Sequence, residues 1–77
     1  MTKAVNLREL DLSDNEITDL TPLAGLTKLE KLSLRNNRVT DVTILLALSA
    51  LRELDLRDNP LEDRTALDFM PDVTVLE

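Results

Sequence analysis

Five positions of this chain return every 22 residues, and a unit of that length decides what the chain can fold into. Leu7, Leu10, Leu12, Asn15 and Ile17 come back as Leu29, Leu32, Leu34, Asn37 and Val39, and again as Leu51, Leu54, Leu56, Asn59 and Leu61. A fourth copy starts with Val73 and Leu76. So short a unit has an apolar side that it cannot bury alone. Each copy has to cover its neighbour, so the copies stack into a one-dimensional solenoid with a broad exposed sheet. This predicts a single domain over 1–77: the end of a preceding repeat at 1–6, repeats at 7–28, 29–50 and 51–72, and the start of a terminal strand at 73–77.

Within one copy, Leu10-Asp11-Leu12 alternates apolar and polar, the period of a strand with one buried face. Leu10 and Leu12 then point inward, and Glu9, Asp11 and Ser13 outward. Asn15 follows where the backbone must bend while buried. Its amide both donates and accepts, so it can pair peptide groups that have no ladder partner. Asn15, Asn37 and Asn59 are therefore expected to form a structural ladder between coils. The columns Leu7/29/51, Leu10/32/54, Leu12/34/56, Leu23/45/67 and Leu26/48 are the expected core, and each buried side chain contributes about 1.5–3 kcal/mol.

The return half of the unit places Ile17, Leu20, Leu23, Leu26 and Leu29 three apart, the spacing of a 3₁₀ or short helical turn. Pro22 suits the start of such a turn. The second copy carries Leu45-Leu46-Ala47-Leu48 and reads as more regularly α-helical. Thr21, Thr43 and Thr65 occupy equivalent positions and are expected to cap these turns.

Outward strand positions stack into columns about 4.8 Å apart. One column is Glu9, Lys31, Glu53, Val75; the next is Asp11, Ser33, Asp55, Glu77; the third is Ser13, Arg35, Arg57. Charge alternates along the first column and along Arg8, Glu30 and Arg52 beside it. Asp11, Asp55 and Glu77 make an acidic stripe next to the basic Arg35 and Arg57. Two readings follow: a solvated face whose charges neutralise one another, or a surface that steers a complementary protein. The turn acids Asp14, Asp19, Asp41, Asp58, Glu62 and Asp63 are expected to bond the local backbone.

Composition excludes several functions. Net charge is −6, from 9 basic and 15 acidic residues, which argues against nucleic acid and anionic membranes as partners. Phe69 is the only aromatic residue, so bases have nothing to stack on. There is no His and no Cys, hence neither the usual general base nor a thiol nucleophile, and no disulfide or thiolate–metal site. Gly25 is the only glycine, so there is no phosphate-cradling loop. No enzyme activity, cofactor or metal is expected. The longest apolar run, Ile44 to Leu48, is too short to span a bilayer, and Met1 precedes a polar stretch rather than a secretory signal. These features lean toward a cytoplasmic setting without fixing the compartment.

The repeat resembles leucine-rich repeat proteins of the 22-residue class. The stretch ITDLTPLAGLTKLEKLSLRNNRVTDV is similar to bacterial internalin repeats, and eukaryotic phosphatase-regulator repeats share the period. From Asn59 the third copy departs: Arg64 stands where Leu20 and Val42 do, and Phe69-Met70-Pro71 replaces Gly25-Leu26-Thr27. LDLRDNPLEDRTALDFMPDVTVLE resembles the C-terminal capping segment of phosphatase-regulator type proteins, with Asp63, Arg64 and Asp68 as a polar outer side and Phe69 and Met70 as an apolar plug. The resemblance implies an α/β fold: a short curved solenoid with a parallel sheet on its concave side and 3₁₀ or short helical turns on its convex side. It also implies protein binding through that sheet, by Glu9, Asp11, Ser13, Lys31, Ser33, Arg35, Glu53, Asp55 and Arg57. The alternative is a structural, engineered or self-assembling scaffold without a native ligand. No amphipathic cap precedes Leu7, so the first strand is expected to show an open edge at which two copies could join.

Overall fold

Each repeat contributes one three-residue strand: β1 (Glu9–Asp11), β2 (Lys31–Ser33), β3 (Glu53–Asp55) and β4 (Thr74–Leu76). The computed structural model describes residues 7–77. The expectations for residues 1–6, and for an edge left uncovered beside them, lie outside the described residues. All neighbouring strands are parallel, in the order β1-β2-β3-β4. A parallel pair needs a long crossover between its strands. Here every crossover contains one 3₁₀ turn: Thr21–Leu23, Thr43–Ala47 or Thr65–Phe69.

The first two pairings follow the 22-residue period, with Leu10 opposite Leu32 and Leu32 opposite Leu54. The third does not. Leu54 lies opposite Val75, and Glu53 and Asp55 lie opposite Thr74 and Leu76. Val75 and Glu77 are therefore not in the outward columns, a correction to the expectation above. The missing residue is visible in the backbone. The amides of Glu30 and Lys31 converge on the Arg8 carbonyl, and those of Arg52 and Glu53 on that of Glu30, whereas Thr74 alone donates to Arg52. One residue fewer between Val73 and β4 turns Val75 inward, because a one-residue slip exchanges the two faces of a strand.

The convex turns are 3₁₀ throughout, including the second, which the residue types made α-helical. Leu45 donates to Val42, Leu48 to Leu45 and Leu51 to Leu48, at 3.0–3.1 Å. Apolar residues three apart share a face only when the turn closes in three residues, so core packing overrides helix propensity here. The threonines also do not cap as expected. Leu20, Val42 and Arg64, which immediately precede these turns, make no side-chain capping bond to them. Instead Asp19, Asp41 and Asp63 accept from the amides of Thr21, Thr43 and Thr65 at 2.8–2.9 Å. The hydroxyls of Thr43 and Thr65 donate to the same carboxylates at 2.6 and 2.5 Å. Aspartate two residues ahead of an amide closes an Asx turn, and threonine is its donor.

The core centres on the second and third repeats. Leu29, Leu34, Leu45, Leu54, Leu56, Val39 and Val42 are fully buried, while Leu7, Leu10, Leu12, Leu23, Leu26 and Leu67 are half-buried against them. Met70 is buried, but Phe69, expected to plug the core, is 70% exposed. The three-residue spacing explains this. Met70 falls in the inward column of Leu48, whereas Phe69 falls in that of Gly25 and Ala47, both exposed.

Between strand and turn, a hydrogen-bonded chain runs across the coils. The Asn15 amide donates to the Leu12 carbonyl at 2.8 Å. Asn37 donates to that same carbonyl at 3.0 Å and to that of Leu34 at 2.9 Å. Asn59 donates to Leu34 at 2.7 Å and to Leu56 at 3.1 Å. The side-chain oxygens of Asn37 and Asn59 accept from Ile17 and Val39 of the coil before, at 3.1 and 3.0 Å. Asn37 is buried, Asn59 half-buried and Asn15 exposed, so the three are not equivalent. Just before each ladder residue, Asp14, Asn36 and Asp58 adopt φ of 60°, 59° and 62°. Asp and Asn are the non-glycine residues that best tolerate this left-handed geometry.

Replacing Asn37 with Ala strands the Ile17 amide and removes a donor from the Leu12, Leu34 and Arg35 carbonyls, so it should destabilise the fold by about 1–3 kcal/mol in urea unfolding. Asn15→Ala should have a smaller effect, because among the described residues Asn15 bonds only within its own coil. By the same measurement Leu54→Ala should cost about 2–5 kcal/mol. Phe69→Ala should stay within about 0.5 kcal/mol.

Candidate protein-interaction surface

The outward side chains of the four strands line one open concavity of about 630 Å³, from Glu9 and Asp11 through Lys31, Ser33, Glu53 and Asp55 to Thr74 and Leu76, with Leu10, Leu32 and Leu54 as its floor. Period-2 alternation builds it, since every inward residue anchors the strand and releases its neighbours to the other face. Ser13, Arg35 and Arg57 lie just beyond the strand ends. Ser13 and Arg35 line a second, more polar hollow of about 580 Å³ with Asp11, Asp14, Ser33, Asn36, Asp55 and Asp58.

Thr74, Leu76 and the residues of positive φ belong to these surfaces but were absent from the sequence-derived set. For Asp14, Asn36 and Asp58 a signal existed, an Asp or Asn directly before each ladder asparagine. For Thr74 and Leu76 it was ambiguous, because Val73, Val75 and Leu76 offer two apolar registers.

The expected basic stripe is not available as such. Arg57 turns back onto Asp55 with two side-chain bonds, Nε at 3.0 Å and Nη2 at 2.8 Å. These bonds hold the Asp55 carboxyl below its ordinary value of 3.8. Arg35 reaches Asp58 at 3.5 Å. Lys31 pairs with Glu53 across β2 and β3 at 3.3 Å, and Arg8 with Glu30 at 3.6 Å. Exposed pairs of this kind are worth only about 0.2–1 kcal/mol each. Their larger effect is to remove positive charge from the face.

Among the described residues no three metal-ligating side chains gather, and no helix is long and apolar enough to cross a membrane. The concavity is open to solvent.

A parallel sheet with one strand per 22-residue unit, 3₁₀ returns and an asparagine ladder together define the repeat. The family model for leucine-rich repeats (two copies) matches residues 5–47 and again residues 27–69. The chain belongs to the leucine-rich repeat family. Among solved structures, this leucine-rich repeat chain is similar to an internalin (inlF) from Listeria monocytogenes, with 33% identity and a TM-score of 0.81 over 91% of this chain and 21% of the other. It is also similar to internalin C2 of the same organism, with 33% identity and a TM-score of 0.73 over 95% of this chain and 42% of the other. The repeats are thus internalin-like, and the chain spans less than half the length of either internalin. No curated protein matches it.

Asp41 and Asp63 are held below their ordinary 3.8 by the hydroxyls and amides of Thr43 and Thr65, and Asp11 likewise by Ser13. A carboxyl with a depressed folded value stabilises the fold above its unfolded value, and that contribution disappears as pH falls through the depressed range. Unfolding midpoints should therefore fall as pH drops below about 4. Thr43→Val should move the Asp41 titration, followed by carboxyl NMR, back up toward its ordinary value.

Proposed function

We propose that this leucine-rich repeat chain is a non-catalytic module that binds a protein partner across its concave sheet. The observation that carries the reading is the division of labour along each strand. The inward residues of β2 and β3, Leu32 and Leu54, are buried, while the outward ones meet solvent in a continuous concavity across four strands. Among the described residues the outward side chains make weak surface pairs and, at Asp11 and Asp55, accept from the backbone amide two residues on. Absence of His and Cys supports a non-catalytic role.

The binding residues on this reading are Glu9, Asp11, Lys31, Ser33, Glu53 and Asp55, joined by Thr74 and Leu76, which take the places in the outward columns that the sequence reading gave to Val75 and Glu77. Ser13, Arg35 and Arg57 sit at the rim. An acidic, aromatic-poor face of this size supports a contact that is mainly polar and therefore sensitive to shape.

A steric block tests the location without altering charge. Ser33→Tyr fills the centre of the concavity, and Thr27→Tyr places the same bulk on an exposed turn away from the sheet. For a protein retained by the immobilised chain, Ser33→Tyr should weaken binding by at least about tenfold, or about 1.4 kcal/mol, and Thr27→Tyr should leave it unchanged. Equal binding by both variants, each shown to be folded by circular dichroism, would remove the sheet from the proposal.

A further inference from the structure

The concave face is graded in polarity from one end to the other. The cations at the outward strand positions and the rim are matched: Lys31 by Glu53, Arg35 by Asp58 and Arg57 by Asp55. Arg52, just before β3, has no ion-pair partner among the described residues and lines neither hollow. The carboxylates left over lie at the β1 end. Glu9, Asp11 and Asp14 have no ion-pair partner among the described residues. Asp11 accepts from the Ser13 backbone amide at 2.9 Å and hydroxyl at 2.6 Å, and Asp14 from the Asn36 side-chain carboxamide at 2.9 Å. These are neutral donors. They hold the carboxylates in place and bring no positive charge with them.

The opposite end is apolar. Because β4 enters one residue early, Thr74 and Leu76 fall into the two columns that are charged or polar on β1 to β3. Leu76 is 47% exposed and lines the same concavity as Glu9 and Asp11. Three inter-strand steps of about 4.8 Å separate β1 from β4, or about 14 Å. An extended chain advances about 3.3 Å per residue, so it covers that span in about four residues.

We propose that the concave face receives an extended, basic–apolar protein segment lying across the strands, with a Lys or Arg over Glu9 and Asp11 and a large apolar side chain about four residues away against Leu76. This rests on the reading of the concave sheet as the binding surface and specifies its partner. The matched pairs on β2 and β3 leave the middle of the face close to neutral, so the intervening residues can be small and polar. Attraction at one end and burial at the other also fix the direction in which the segment lies.

Fluorescein-labelled peptides test this by anisotropy against the full chain. One carries Arg and Leu separated by three serines. In the others Glu replaces Arg, Ser replaces Leu, or Arg and Leu are adjacent. The spaced Arg–Leu peptide should bind at least about tenfold tighter than each of the other three, and the preference over the Glu peptide should shrink as salt rises from about 50 to about 500 mM. Glu9→Gln and Asp11→Asn should reduce that charge preference, and Leu76→Ser should reduce the preference for Leu. Glu62→Gln, in an exposed turn outside both concave hollows, should change neither. Equal binding of the Arg and Glu peptides, or a preference that survives Glu9→Gln with Asp11→Asn, overturns the inference. If Ser33→Tyr still blocks a protein partner in that case, the concave reading stands and only the partner class falls. If Ser33→Tyr leaves binding of the spaced peptide intact, the location fails with it.

Discussion

The carboxamide of Asn37 is the constraint on which the stack depends. A solenoid coil must turn sharply between its strand and its return, and the peptide groups at that corner are shielded from water on both sides by neighbouring coils. Asn37 meets the need by joining the Leu12 carbonyl of one coil to the Leu34 carbonyl of its own, while its oxygen takes the Ile17 amide. Asn59 repeats the arrangement one coil later through Leu34, Leu56 and Val39. Each shared carbonyl uses both lone pairs, so the chain is continuous. Leucine columns supply the favourable burial, but they are non-directional. The asparagines tell one coil where to sit on the next.

Register then determines what the outer face can do. Strands β1 to β3 keep a common period, so acid and base come opposite each other and largely cancel. At β4 the period shortens by one residue, and polar columns end in threonine and an exposed leucine. Charge is left over at one end of the sheet and apolar surface at the other, with a neutralised centre between them. A surface so arranged would distinguish the two ends of the proposed extended segment, which a uniformly alternating sheet would not. On the proposed reading, such a face would act through orientation and electrostatic selection more than through burial, since it lacks the aromatic anchors that dominate tight interfaces.

How much of this was legible before the structure varies with the range of the interaction. The positions of β1 to β3, the inward leucines of the second and third coils and, among the turn acids, Asp19, Asp41 and Asp63 as acceptors of local amides could be read from spacing and residue type. The helical reading of Leu45 to Leu48 failed because propensity is a weak preference beside a three-residue packing period. Thr43 and Thr65 were placed correctly on the turns but given the acceptor's role, when Asp41 and Asp63 two residues earlier fill it better. Phe69 was read as part of an apolar plug through the resemblance to a capping segment, although its column held Gly25 and Ala47. The face-forming residues of β1 to β3 were legible, whereas the pairing of Arg57 with its own neighbour Asp55, which removes the basic stripe, was not.

The sequence by itself determined that the chain coils with a 22-residue period, which side of each strand is apolar, and where a carboxamide must stand at each corner. These are repeating local properties, and every copy states them again. Only the tertiary structure decided the entry point of β4, the partners of the surface cations and hence the polarity gradient of the concave face. Those depend on how one coil seats on the next. A shift of a single residue exchanges inside for outside, and near Val73, Val75 and Leu76 two apolar registers were open until packing against Leu54 selected one.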